Sequence, residues 1–139
     1  MPVGLTIEQR IGGHGPFRLS ANFAFSDFQR WGGDHNGGFQ PLLDACNGAS
    51  CVFDVGAHIG LVTLPASRVL AAGGRLYAFE PASANLRYLR THLRANEIEN
   101  VEVIPILLGA VVTEEVAFFE QAQATGMNSI IRPRSAGEY

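Results

Sequence analysis

The sequence predicts an α/β fold in which helices flank a parallel sheet. Three short apolar segments, 51–55, 75–79 and 101–104, have the length of strands, and two longer segments with helical periodicity, 61–72 and 82–95, separate them. Strands that alternate with helices in this order are joined by right-handed crossovers and lie parallel in one sheet. A chain of 139 residues is long enough to bury a core around such a sheet and is predicted to form a single domain.

Residues 1–50 are rich in loops, and we expect them to form a lobe that covers the half-domain of residues 51–139. Glycines cluster within 12–15 and again within 32–38, where they indicate turns. Between these clusters, the alternating apolar residues of 17–28 predict a short strand or hairpin over the core.

A short helix is predicted over 39–46, and the strand that follows, 51–55, is apolar except for Asp54. Such a run is typical of a strand that is buried on both faces, and we interpret Cys51 as a buried residue at its start. In the next helix, Pro65 is expected to introduce a kink or to delay the start.

The second helix, 82–95, has leucines at the spacing of one buried stripe, and its arginines fall on another face that we expect to be solvated. The leucines are Leu86, Leu89 and Leu93, and the arginines are Arg87, Arg90 and Arg94. A further strand is predicted over 115–120, after a turn at 113–114.

Composition excludes several classes of function. The formal net charge of −3 gives no reason to expect nucleic acid or an anionic membrane as a partner. All ten basic residues are arginine, which excludes Schiff-base chemistry on a lysine. Residues 1–10 lack the pattern of a signal peptide, and the most apolar stretch, 103–112, is too short to span a membrane, so we expect a cytoplasmic protein.

The segment 52–60 carries the most informative motif. It reads V-F-D-V-G-A-H-I-G and lies where a predicted strand gives way to a helix, which is where open α/β sheets bind their ligands. Gly56 permits a sharp turn that a ligand can approach, and Gly60 permits close contact at the start of the helix, whose free N–H groups favour a carboxylate. Twenty residues after Gly60, Glu80 ends the next strand, where a carboxylate can accept hydrogen bonds from both hydroxyls of a ribose.

The spacing of this motif separates two cofactors. Nicotinamide sites have the pattern G-x-G-x-x-G, whereas this chain has D-x-G-x-x-x-G. Asp54 would repel a diphosphate, but it would attract the ammonium or sulfonium group of S-adenosylmethionine (SAM). The motif therefore favours SAM, and a nicotinamide-dependent oxidoreductase is disfavoured.

Three segments together resemble the FkbM-type family of class I SAM-dependent methyltransferases. They are 52–60, the Ala-Phe-Glu-Pro run of 78–81 and the Asn-Val-Glu-Val-Ile-Pro run of 100–105. The resemblance covers about residues 37–139, includes the Gly-Met-Asn-Ser-Ile run of 126–130, and implies a Rossmann-like methyltransferase fold.

The resemblance also implies a role for each residue of the motif. The two glycines and the alanine between them would line the methionine part of SAM, with Asp54 near its amino group. Glu80, which Pro81 follows, would hold the ribose. The predicted cofactor-binding residues are Asp54, Gly56, Ala57, His58, Gly60, Glu80 and Pro81.

Some positions leave alternatives open. His58 stands where the family often has asparagine; its imidazole could bind the cofactor carboxylate, or it could be an exposed loop residue. The Phe-Gln-Pro run of 39–41 replaces a common aromatic–glutamate–proline run, so a polar contact from the N-terminal lobe is not predicted. Asn128 and Ser129 would either edge the acceptor site or cap a loop. The sequence identifies no catalytic base and no metal site.

Members of the family methylate hydroxyl groups of polyketides, glycans and other small molecules, so the resemblance implies O-methylation of a small-molecule or sugar hydroxyl. In this fold the fourth strand lies beside the first, and no later segment resembles it, so we expect a fold truncated after the third strand and an added hairpin. Residues 51–55 would then form an open sheet edge. The alternative function is a non-catalytic SAM-binding fragment that dimerises, or binds a separate C-terminal half, through that edge.

Overall fold

The computed structural model describes residues 2–112 and residue 114 of the chain. The predicted strand over 115–120 and the residues Asn128 and Ser129 lie outside this part. The described elements, in chain order, are strand β1 (Thr6–Ile11), strand β2 (His14–Ser20), helix α1 (Phe39–Cys46), strand β3 (Cys51–Val55), helix α2 (Thr63–Val69), strand β4 (Arg75–Phe79), helix α3 (Ser83–Ala95) and strand β5 (Val101–Ile104).

The main sheet has the predicted strands in the predicted parallel arrangement. Its order is β3-β4-β5, so β4 is central, and Val55 lies opposite Phe79, which lies opposite Ile104. Helix α2 connects β3 to β4 and helix α3 connects β4 to β5. The carboxyl ends of the three strands therefore lie along one edge of the sheet, where the predicted motif is found.

The N-terminal strands form an antiparallel hairpin whose position differs from the prediction. β1 pairs with β2, and Gly12, at φ +57°, and Gly13 lie between them. The glycines at 12 and 13 therefore form the turn inside the hairpin, whereas the sequence analysis placed the turn region before a strand or hairpin at 17–28. After Ser20 the chain continues in short 3₁₀ turns, at Ala21–Phe23 and Phe28–Arg30.

The two helices that flank the sheet can be compared with the sequence prediction at the start of α2 and on the faces of α3. α2 begins at Thr63, later than the predicted start, and Pro65 lies in its first turn, where a missing N–H leaves no hydrogen bond unmade. The expected delayed start is thus confirmed. In α3 the predicted leucine stripe is buried and the arginines on the other face are exposed.

One continuous core joins the hairpin, the helices and one face of the sheet. The sheet contributes Leu76 and Ala78, which are fully buried, and Val52 packs against them. The hairpin contributes Phe17, and α3 contributes Leu89. Among the described residues, this core lies on the face of the sheet that carries Leu76 and Ala78.

The prediction that β3 is buried on both faces is wrong. Cys51 is exposed, and Phe53 and Val55 are 64% and 62% exposed. Within the described residues β3 pairs only with β4. The exposed ring of Phe53 contacts its neighbours edge to face: its centroid lies 5.5 Å from that of Tyr77 and 5.6 Å from that of Phe79. In the part of the chain that the structure describes, an apolar strand thus lies at the edge of the sheet.

Within residues 2–112 no helix combines the length and the apolar character that crossing a bilayer requires.

Candidate functional site

The glycine motif folds into a turn that is fixed to the end of β4. The N–H groups of Gly56 and Ala57 both donate to the carbonyl of Phe79, at 2.9 and 3.0 Å. Gly60 then donates to the carbonyl of Ala57 at 3.0 Å, which closes the turn before α2. We call residues 56–60 the glycine turn. Its backbone is held at the carboxyl edge of the sheet, as the sequence predicted.

Both predicted glycines have conformations that favour glycine. Gly56 has φ +77° and Gly60 has φ +101°, in the region that side chains rarely adopt. A Cβ on Gly60 would lie 3.0 Å from Cδ1 of Leu89, so the backbone here packs closely on α3. A Cβ on Gly56 would meet no protein atom within 4 Å, so open space lies beside that residue.

Glu80 is the residue that organises the site. Its side chain is buried, with 5% exposure. One carboxylate oxygen accepts the N–H of His58 at 2.8 Å, and the other accepts the N–H of Ala82, just before α3, at 2.9 Å. Glu80 therefore connects the glycine turn to the start of the next helix. The sequence analysis predicted a ribose ligand at this position and missed this internal role; a carboxylate two residues before a helix is the signal that could have indicated it.

Each oxygen of Glu80 keeps further capacity to accept a hydrogen bond, because a carboxylate oxygen has two lone pairs. Two backbone donors do not exhaust that capacity. Glu80 can therefore hold the turn and accept hydroxyl donors from a ligand at the same time.

Asp54 lies on the face of β3 that packs against the core, and its carboxylate accepts a hydrogen bond from Oγ1 of Thr63 at 2.5 Å. Burial raises the pKa of Asp54, the Thr63 hydroxyl lowers it, and the charge of Glu80 raises it. Asp54 and Glu80 lie at the carboxyl ends of adjacent strands, since Asp54 lies opposite Ala78 and Glu80 follows Phe79 at the end of β4. Thr63 was missed by the sequence analysis; its place in the first turn of α2, facing the end of β3, becomes apparent only with the fold.

His58 is half-buried rather than an exposed loop residue. It has φ +56°, and its ring nitrogen Nε2 is the one buried side-chain polar atom of the described residues that has no hydrogen-bond partner. Burial lowers the pKa of His58 more than the nearby Glu80 raises it. Burial therefore favours the neutral imidazole, whose Nε2 lacks a hydrogen-bond partner.

The two remaining predicted residues, Ala57 and Pro81, have apolar side chains. Ala57 is buried, and Pro81 is half-buried between Glu80 and the start of α3. Gln40, from the N-terminal segment that departs from the family pattern, bonds His14 and Asp44.

Solved structures share this fold. TYW2 from M. jannaschii, in complex with AdoMet, matches with a TM-score of 0.52 at 19% identity, over 71% of this chain and 42% of that protein. TYW2 from P. horikoshii, in complex with MeSAdo, matches with a TM-score of 0.52 at 12% identity, over 73% of this chain and 36% of that protein. The chain thus spans less than half the length of either structure.

No protein-family model matches the sequence, and comparison with curated proteins finds no match. The likeness to solved structures shows the fold. With its parallel β3-β4-β5 sheet and flanking helices, the described chain has the Rossmann-like methyltransferase fold.

Proposed function

We propose that this chain binds SAM at the carboxyl ends of β3 and β4 as part of a SAM-dependent methyltransferase. The observation that carries the proposal is that Asp54, the glycine turn and Glu80 lie together at the carboxyl ends of two paired strands, with the turn bonded to Phe79 and Glu80. In an open α/β sheet this edge is where ligands bind. An acidic pair there suits a ligand that carries a positive charge, as SAM does.

The residues fit such a ligand in three respects. Gly56 leaves open space where a side chain would stand, so a ligand can approach the backbone there. Nε2 of His58 is buried without a partner, and a ligand acceptor would supply one. Glu80 has lone pairs left for hydroxyl donors.

From these features we propose a role for each residue, in agreement with the resemblance noted in the sequence. Glu80 would accept the ribose hydroxyls, and Asp54 would face the ammonium group. His58, held neutral, would donate from Nε2 to the carboxylate. The glycine turn would line the methionine part, with Ala57 and Pro81 as apolar walls. When bound, SAM supplies an electrophilic methyl group.

For the acceptor we propose a hydroxyl of a small molecule or sugar, on the basis of the resemblance to the FkbM-type family. Methyl transfer requires alignment of the acceptor oxygen with the methyl carbon and a base to take the proton. In the part of the chain that the structure describes, the site acids are already engaged in internal hydrogen bonds, and we assign no base. We retain the expectation of a cytoplasmic protein without a nucleic-acid partner.

A second candidate function rests on the exposed side of β3. Phe53 and Val55 present apolar surface at a sheet edge that, among the described residues, no strand covers. Natural proteins rarely leave such an edge open. In this alternative the chain is a SAM-binding fragment that acts only with a C-terminal half or a second copy on that edge.

The direct test is calorimetric titration of S-adenosylhomocysteine into the 139-residue chain. We expect saturable binding that Glu80→Gln weakens by about tenfold or more, the effect of losing a charged acceptor. Glu102→Gln is the matched control, because it removes the same charge from an exposed position on β5. NADH, titrated in parallel, should not bind.

Absence of saturation by millimolar S-adenosylhomocysteine would overturn the proposal, as would equal affinity of the Glu80→Gln variant and the wild-type chain. Formation of S-adenosylhomocysteine from SAM on addition of hydroxyl acceptors separates the two candidate functions, since a non-catalytic fragment binds SAM without transferring its methyl group.

A further inference from the structure

His92 is a fully buried histidine of α3 that joins two separate parts of the chain. Its Nε2 lies 2.9 Å from the backbone N of Ser20, at the end of β2. Its Nδ1 lies 2.7 Å from the carbonyl oxygen of Ile59, inside the glycine turn. One side chain thus bonds the N-terminal hairpin and the candidate cofactor site.

The two bonds determine where the proton of the ring lies. A backbone N–H can only donate, so Nε2 must accept from Ser20. Nδ1 must then carry the proton and donate to the carbonyl of Ile59. The ring is therefore the neutral Nδ1–H tautomer, and burial, which lowers the pKa of His92, favours the same neutral form.

The carbonyl that His92 holds lies at the least regular part of the turn. Ile59 is flanked by His58, at φ +56°, and Gly60, at φ +101°. Conformations of this kind persist when surrounding contacts hold them. Fixing the carbonyl of Ile59 fixes the peptide group that it shares with Gly60, whose N–H closes the turn on the carbonyl of Ala57.

Asn96, which follows the last residue of α3, anchors the hairpin from the same helix, and its side-chain amide also donates to the carbonyl of His92 at 2.7 Å. Its side chain accepts the N–H of Arg18 and donates to the carbonyl of Arg18, both at 2.8 Å. It therefore provides hydrogen-bond partners for the backbone of Arg18 in β2, as His92 does for the N–H of Ser20. Asn96 has no bond to the glycine turn within the described residues, whereas His92 does.

We propose that His92 is a positioning residue of the cofactor site, which holds the glycine turn in its binding conformation and makes that conformation depend on the docked hairpin. The consequence for affinity rests on the proposed SAM function. The consequence for the turn does not, and it can be measured without ligand.

The test compares His92→Leu, which places an apolar side chain at this position and removes both bonds, with His92→Gln, whose amide offers a donor and an acceptor. Asn96→Ala is the matched control, because it removes the neighbouring bonds between the same strand and the end of the same helix and leaves both bonds of the His92 ring in place. The ligand-free readout is amide hydrogen exchange at Gly60, whose N–H closes the turn, relative to Leu76, whose N–H donates to Asn100 within the sheet.

We expect His92→Leu to accelerate exchange at Gly60 relative to Leu76 by about tenfold and to raise the Kd of S-adenosylhomocysteine by a similar factor, the loss expected for one hydrogen bond. His92→Gln should keep both the exchange rate at Gly60 and the Kd close to the wild-type values. Asn96→Ala should leave both within about twofold of wild type, although it destabilises the hairpin.

Unchanged exchange at Gly60 in a folded His92→Leu variant overturns the inference, as does an equal effect of Asn96→Ala. If His92→Leu does not fold, Ser20→Pro replaces it: Ser20 has φ −52°, which suits proline, and the substitution removes the N–H that His92 accepts. It also removes the Ser20 hydroxyl that accepts from the N–H of Asn22, so Ser20→Ala, which removes only the hydroxyl, is its control. If the wild-type chain binds no S-adenosylhomocysteine, the proposed function fails, and the exchange result still decides the role of His92.

Discussion

The glycine turn contains two glycines whose replacement by alanine should affect stability and ligand binding to different extents. Both have positive φ, so a side chain costs about 1–2 kcal/mol of backbone strain at either position. At Gly60 a Cβ also lies 3.0 Å from Cδ1 of Leu89. Leu89 is fully buried, so its methyl group has little room to move away.

That crowding adds about 1 kcal/mol or more, the lower end of the cost of overpacking a core. We therefore expect Gly60→Ala to lower the free energy of unfolding by about 2–4 kcal/mol, and Gly56→Ala by about 1–2 kcal/mol. At Gly56 the new methyl group meets no protein atom. It would instead occupy the space that we assign to the ligand, so this milder variant should lose S-adenosylhomocysteine binding by about tenfold or more.

Urea denaturation of both variants and titration of the folded protein measure the two effects separately. Equal destabilisation by the two substitutions would show that the contact between Gly60 and Leu89 is not tight. Retention of wild-type affinity in Gly56→Ala would show that no ligand approaches the backbone at this position.

Three further predictions follow from the titrating groups and from the exposed edge. Folding lowers the pKa of His92, so its contribution to the free energy of unfolding is complete above the unfolded-state pKa of about 6.5 and is lost as the pH falls toward the folded-state pKa. His92→Gln should remove that part of the pH dependence of urea denaturation. Folding raises the pKa of Asp54, so its contribution to the free energy of unfolding is complete below the unfolded-state pKa and is lost as the pH rises. Asp54→Asn should therefore raise the Tm at pH 7 and abolish ligand binding. A lower Tm would contradict the raised pKa of Asp54. Phe53→Ser should reduce self-association in sedimentation experiments without lowering the Tm, and unchanged association would exclude this edge as the contact.

The sheet could be predicted from sequence because each strand is a short apolar run bounded by turn residues. β3, β4 and β5 begin and end where the pattern placed them. Burial of β3 could not be predicted in the same way. An apolar strand sequence is suited to burial on both faces. Composition alone does not predict which elements pack on those faces.

From the spacing along the chain, the sequence predicted that Asp54, the glycine turn and Glu80 would lie together. It did not predict the hydrogen bonds that these residues make. The bonds from Thr63 to Asp54 and from His58 to Glu80 depend on how the turn folds back on the sheet. His92 gave no signal, since a histidine beside a leucine stripe reads equally well as part of a solvated face.

The double engagement of Glu80 has a consequence for how a ligand binds. Both of its oxygens already hold backbone N–H groups, so a ligand that displaced them would open the turn and free the start of α3. A ligand that uses the remaining lone pairs adds donors to a fixed carboxylate and needs no such opening. Binding should therefore tighten the existing contacts, and saturation at 100 times the Kd should stabilise the fold by about 2.7 kcal/mol while slowing exchange at Gly60. Faster exchange at Gly60 in the bound protein would mean that the ligand competes with the turn for Glu80, and that the bonds described here belong to the free state only.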